Sequence, residues 1–237
     1  MTTFIVCGMH RSGTSATGRV LFHLGLPTGY PLLGPDAHNS LGHYEVAPIT
    51  TFNDNLMRRF SGHWFEPPEA LDTQTQILIS RESTGHTAAK LWDNHMPKGD
   101  CYVKCPRFSF LLPFWREVIE GPIAVIVCMR AREAVKQSLL KRQPFLFNSK
   151  HEERDAVLND LIFRHWKEPI KWCREHGVPS YISSYSTLTT DRWMAVAGLS
   201  KFLYEHSDWQ PQTADWLQLG INAIDPNLNH HLEVVPA

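Results

Sequence analysis

The stretch FIVCGMHRSGTSATGRVLFHLG, residues 4 to 25, constrains the fold more than any other in the chain. A β-branched and apolar run ends at Gly8, a glycine-containing turn follows, and from Thr14 onward Ala16, Val20, Leu21 and Leu24 recur at helical spacing until Gly25 and Pro27. Strand, tight turn and helix in direct succession are the opening unit of a parallel α/β sheet. Gly8 and Gly13 stand where a nucleotide-binding loop of pattern G-x-x-x-x-G-K-[ST] has its glycines, and Ser15 closes the turn, but the lysine position holds Thr14. Backbone N–H groups and the helix N-terminus still favour an anion there. What is missing is the ammonium that reaches the outer phosphates of a nucleoside triphosphate.

The rest of the chain repeats the same alternation. Helical patterns run over about 48 to 60 and 71 to 88, and the short strand CYVKC precedes a helix at about 109 to 119. The run PIAVIVCMR is apolar on both faces, as in a central parallel strand. Helices at about 131 to 142 and 153 to 176, a strand PSYISSY and a helix at about 189 to 206 complete the order. This order argues an α/β three-layer sandwich with a central parallel sheet, built as a single domain over residues 1–237. Between the first two helices lies a segment rich in Pro and Gly, residues 27 to 48, and a loop of that length inside a compact unit is usually functional.

Composition narrows the function classes. A formal net charge of −1 gives no overall basic field, so anion binding must come from locally placed groups and a general nucleic-acid binder is disfavoured. The five cysteines are odd in number and three lie in apolar runs, which suits buried reduced thiols. No signal-like start and no membrane-length apolar run is present, and the expected location is the cytoplasm. The strand IAVIVCMR ends in Arg130, where a triphosphatase would offer an aspartate for Mg²⁺, so hydrolysis of ATP or GTP is disfavoured.

With the cation moved to Arg11, the loop reads Arg-Ser-Gly-Thr-Ser. It resembles the 5′-phosphosulfate loop of sulfotransferases that use 3′-phosphoadenosine 5′-phosphosulfate (PAPS). In that family a core strand also ends in Arg and the next helix carries Ser eight residues on; here these are Arg130 and Ser138. The segments LGHYEVAPITTFNDNLM and YVKCPRFSFLLPFW extend the resemblance to the bacterial branch. Two departures stand out: Cys105 replaces an aspartate in the Lys-Asp-Pro-Arg segment, and Gly42-His43-Tyr44-Glu45 is one residue longer than its counterpart.

The resemblance implies a P-loop NTPase-like fold and transfer of a sulfonate from PAPS to a hydroxyl or amine, releasing adenosine 3′,5′-bisphosphate (PAP) without a metal. It places Arg11, Ser12, Gly13, Thr14 and Ser15 on the 5′ side, Arg130 and Ser138 on the 3′-phosphate, Lys104 near the transferring group and Tyr185 at the adenine. The general base falls on Glu45, with His43 as its rival and His10 as a third candidate. The acceptor, with a glycan or small metabolite put first, is left open to a lipid or peptide. Trp64, Phe65 and Trp92 lie in the segments where the family builds its acceptor side and are equally well explained as core, and the tail NHHLEVV either closes over the site or is frayed. Two rival readings are an atypical kinase or hydrolase and an inactive nucleotide-binding module. Oligomeric state is not legible.

Overall fold

The computed structural model describes residues 1–37, 39–142 and 151–225; the tail NHHLEVV lies outside them. Four strands, β1 (Thr3–Cys7), β2 (Cys101–Lys104), β3 (Ile123–Met129) and β4 (Ser180–Ser184), form one parallel sheet in the order β2-β1-β3-β4. Strand periodicity sends successive side chains to opposite faces. Ile5, Cys7, Val103, Val125 and Val127 therefore join one core, while Phe4, Val6, Tyr102, Ala124, Ile126 and Cys128 join the other. β1 is buried throughout and β3 nearly so, which is why both read as apolar on two sides.

Helices cover both faces, giving the expected three layers. One face carries α2 (Ala47–Arg59), α3 (Thr73–Ser80), α4 (Ser83–His95), α5 (Phe108–Val118), α6 (Arg132–Arg142) and α7 (His151–His176). The other carries α1 (Thr14–His23), α8 (Tyr185–Thr190), α9 (Arg192–His206) and α10 (Trp216–Asn222).

This arrangement fixes where a ligand can sit. The helix after β1 packs on one face and the helix after β3 on the other, so a crevice opens between these adjacent strands at their carboxyl ends. The parallel register pairs Val6 with Lys104, Cys7 with Val127 and Met129 with Ser184. Gly8, Lys104, Arg130 and Tyr185 thus reach one rim from four strands.

Three local features differ from the sequence expectation. The helix expected over 71 to 88 is two helices, broken at Arg81 and Glu82, and the second runs on to His95. The cause is a crossing: a Cβ at Gly85 would lie 1.5 Å from the Ser80 carbonyl oxygen, so α4 begins where only glycine lets its first turn abut the end of α3. The expected strand PSYISSY stops at Ser184, whose hydroxyl accepts from the Thr187 N–H and starts α8 at Tyr185. α10 is not among the expected helices, although Leu217, Ile221 and Ile224 recur at helical spacing and pack on the core.

Candidate active site

The turn after β1 is held by sterics before any ligand arrives. Gly8 has φ 125° and a Cβ there would lie 2.5 Å from the Cys128 carbonyl oxygen of β3, so the chain passes its neighbour only as glycine. Gly13 has φ 97°, and a Cβ there would meet the Tyr185 ring at 2.6 Å. Arg11 itself has φ 70°. Gly8→Ala is expected to cost about 1–3 kcal/mol through strain and contact with β3. Urea denaturation checks this, and an unchanged midpoint would show that the turn relaxes without cost.

A cavity of about 250 Å³ lies over this turn. Its walls include His10, Arg11, Gly13, Thr14 and Ser15 from the turn and α1, His43 and Glu45 from the long loop, and Lys104, Arg130 and Tyr185 from the strand ends. A wider groove between residues 60–69 and α7 contains none of these groups. α1 has no side-chain cap at its N-terminus, so its first N–H groups carry the helix's partial positive charge toward the cavity.

Two of the expected donors have partners within the fold. Ser12 is buried, and both its N–H and its hydroxyl donate to the Met9 carbonyl, at 3.1 and 2.6 Å. It closes the turn and does not line the cavity, a correction to the expected hydroxyl contact. Ser138 accepts from Arg11 Nε at 2.8 Å, which ties α6 to the turn. Arg130 donates to the Arg11 carbonyl at 3.3 Å, and its guanidinium lies 4.4 Å from the Tyr185 ring centroid. Arg130 and Ser138 therefore meet the same residue, Arg11, from two sides.

Beneath the cavity lies a buried ion network. Lys104 Nζ, in a side chain only 2% exposed, donates to Glu45 Oε1 at 2.6 Å and to Ser15 Oγ at 3.3 Å. Glu45 Oε2 accepts from Thr50 at 3.2 Å and from Arg107 Nη1 at 3.4 Å. Arg107 also grips both Asp54 oxygens, at 2.9 and 3.0 Å. Burial acts to raise the Glu45 carboxyl, but attraction to Lys104 and Arg107 together with the Lys104 hydrogen bond outweighs it, and the group sits below its ordinary value. Cys105, at the departure from Lys-Asp-Pro-Arg, is buried, and burial pushes its thiol up; Arg107 finds its carboxylates in Asp54 and Glu45.

The histidines differ from one another. His43 Nε2 lies 3.0 Å from Asp36 Oδ2. A carboxylate only accepts, so the ring proton is on Nε2 and Nδ1 is the basic nitrogen of the neutral imidazole. His10 packs on Trp64 with ring centroids 4.2 Å apart, and burial followed by the nearby cations Arg107, Lys104 and Arg142 holds it neutral, well below the ordinary value. Of the expected acceptor aromatics, Trp64 and Phe65 stack edge to face beside His10, whereas Trp92 packs on Trp115 in the core.

Several lining residues escaped the sequence reading. Asn39 donates to Ser15 Oγ at 3.2 Å and to the Gly42 carbonyl at 2.7 Å, with no local signal to mark it. Arg142 also lines the cavity, and it follows Ser138 at helical i,i+4 spacing, a signal that was present in the sequence. Among the described residues no group of three or more His, Cys, Asp or Glu converges as metal ligands, all five cysteines are unpaired and buried, and no helix is long and apolar enough to cross a membrane.

No protein-family model matches the chain, and no curated protein matches it. Among solved structures it is similar to the Sulfotransferase Domain from the Curacin Biosynthetic Pathway, at 16% identity and a TM-score of 0.46, over 96% of this chain and 85% of that one. A likeness of that size does not bear on the assignment of the site.

Proposed function

We propose that the protein is a PAPS-dependent sulfotransferase acting as one domain over residues 1–237. The observation that carries the reading is the convergence of Arg11, Lys104, Arg130 and Tyr185 on one cavity above an uncapped helix N-terminus. Such a site suits a ligand with two separated anionic ends and a flat ring. The 5′-phosphosulfate lies along Gly13 to Ser15 and Arg11. The 3′-phosphate lies at Arg130, with the Arg11–Ser138 contact opening to share its donors, and the adenine reaches Tyr185. The unpaired thiols suit a reducing compartment, and we place the protein in the cytoplasm.

Sulfonate transfer breaks the bond between sulfur and the bridging phosphate oxygen while an acceptor oxygen or nitrogen bonds to sulfur in line. Negative charge grows on the departing PAP, where Arg11 and the α1 N–H groups stand. Lys104, held by Glu45 and Ser15, lies beside the transferring group and balances its oxygens. The acceptor proton goes to His43 Nδ1, and the imidazolium so formed is stabilised by Asp36. Glu45 is the poorer base of the two, because Lys104, Arg107 and Thr50 occupy its oxygens and stabilise its anion.

The test is calorimetric titration of PAP against ATP with Mg²⁺. Selective PAP binding is expected, and Arg130→Ala weakens it roughly ten- to hundredfold, the loss of one charged hydrogen-bond set. Preference for ATP with Mg²⁺ would favour the kinase or hydrolase reading and end this one.

A further inference from the structure

The cavity holds one more cation than the proposed donor uses. In the reading above Lys104, held by Glu45, serves the transferring group, and Arg11 and Arg130 answer the two anionic ends of PAPS. Arg142 remains. It lines the same cavity, and its Nε is buried with no hydrogen-bond partner among the described residues. His10 lines the cavity too, and its Nε2 is likewise buried without a partner. Arg142 is near enough to both His10 and Arg11 for their charges to interact.

Two orphaned nitrogens together are informative. Leaving a buried guanidinium N–H or imidazole nitrogen unmatched costs free energy, and native structures seldom leave one so without a ligand or water to come. Arg142 Nε–H only donates, and a neutral His10 donates from Nε2 in one of its two tautomers. What satisfies both donors beside a guanidinium charge is an oxyanion. Trp64 packs on the His10 ring and holds it in place.

Resting on the sulfotransferase reading, we propose that Arg142 and His10 form an acceptor subsite for an oxyanion, so that the acceptor is an acidic molecule carrying a carboxylate or similar group near the hydroxyl or amine that receives the sulfonate. His10 is here a recognition group and not the base. The carboxylate accepts from Arg142 Nε–H and His10 Nε2–H, while the reacting group turns toward His43.

Calorimetry on PAP-saturated protein tests this with two probe pairs of matched shape: 4-hydroxybenzoate with 4-hydroxybenzamide, and glucuronate with glucuronamide. In at least one pair the acid is expected to bind about tenfold or more tightly than the amide, the scale of a charged hydrogen bond. Arg142→Met should abolish that preference and Arg142→Lys keep part of it, with PAP affinity within about twofold of wild type and an unchanged melting temperature confirming the fold. Equal binding of acid and amide, no binding of either acid, or a preference that survives Arg142→Met would overturn the proposal. A large loss of PAP affinity in Arg142→Met without any acid preference would assign Arg142 to the donor, sinking the subsite but not the sulfotransferase reading. If wild type fails to bind PAP, that reading fails; the same titrations without PAP then decide the oxyanion subsite alone.

Discussion

Glu45→Gln is expected to destabilise the protein by about 3–5 kcal/mol, because it strands the Lys104 ammonium, 2% exposed, without its counter-charge. In a chain of this size that corresponds to a fall in melting temperature on the order of 10 °C. Lys104→Met should cost less, because Arg107 and Thr50 still hold the Glu45 carboxylate. The double variant Glu45→Gln/Lys104→Met should recover most of the loss, since an apolar and an amide group of similar volume replace the pair. Strictly additive losses in that cycle would show that the two charges do not couple.

The same network sets an acid limit on stability. The folded carboxyl of Glu45 lies below its ordinary value of 4.5, the attraction of Lys104 and Arg107 having outweighed burial, so the unfolded chain binds this proton more readily than the folded one. Its stabilising contribution is therefore complete above the ordinary carboxylate range and is lost as the pH falls through the lower folded value. Melting temperatures measured between pH 7 and pH 3 should decline for the wild type on the acid side, with the part due to this group missing from Glu45→Gln.

His43→Gln is the complementary case. It is expected to lower turnover of PAPS with an acceptor by roughly 10² to 10⁴, the usual contribution of a positioned base, while PAP affinity and melting temperature stay near wild type. The half-exposed Asp36 partner loses no deeply buried contact, so no structural penalty comparable to that of Glu45 arises. Asp36→Asn should lower turnover by a smaller factor, since the ring stays in place but its imidazolium is less stabilised. Near-normal turnover by His43→Gln would return the base to Glu45. A large loss of PAP binding in the same variant would mean that His43 serves the nucleotide.

The two results separate groups that the sequence set side by side. Glu45 and His43 lie two residues apart in one Pro/Gly-rich loop, and both carry chemistry suited to a base. Neither periodicity nor turn chemistry says which side chain ends in the buried part of the cavity wall among cations and which meets a carboxylate. The loop enters α2 at Ala47 with Val46 buried against the core, and this anchor carries Glu45 inward.

The opening strand, turn and helix were fully legible because their causes are local. An apolar strand buried on both faces, the positive φ at Gly8 and Gly13, and helical spacing after Thr14 all operate within about twenty residues. The same holds for Arg130, which stands where the apolar run of β3 stops, and Tyr185 directly follows β4. A parallel register then brings strand ends together, so the sequence by itself determined the sheet class and the rim on which a site must lie. It did not determine the break at Arg81 and Glu82, which depends on one helix end abutting another at Gly85. Nor did it determine that Lys104 meets Glu45 across 59 residues, or that Arg11 meets Ser138 across 127. Side-chain direction repeats with a short local period, whereas the pairing of ionised groups is decided by which helices the core packs together. Tertiary structure alone made that choice.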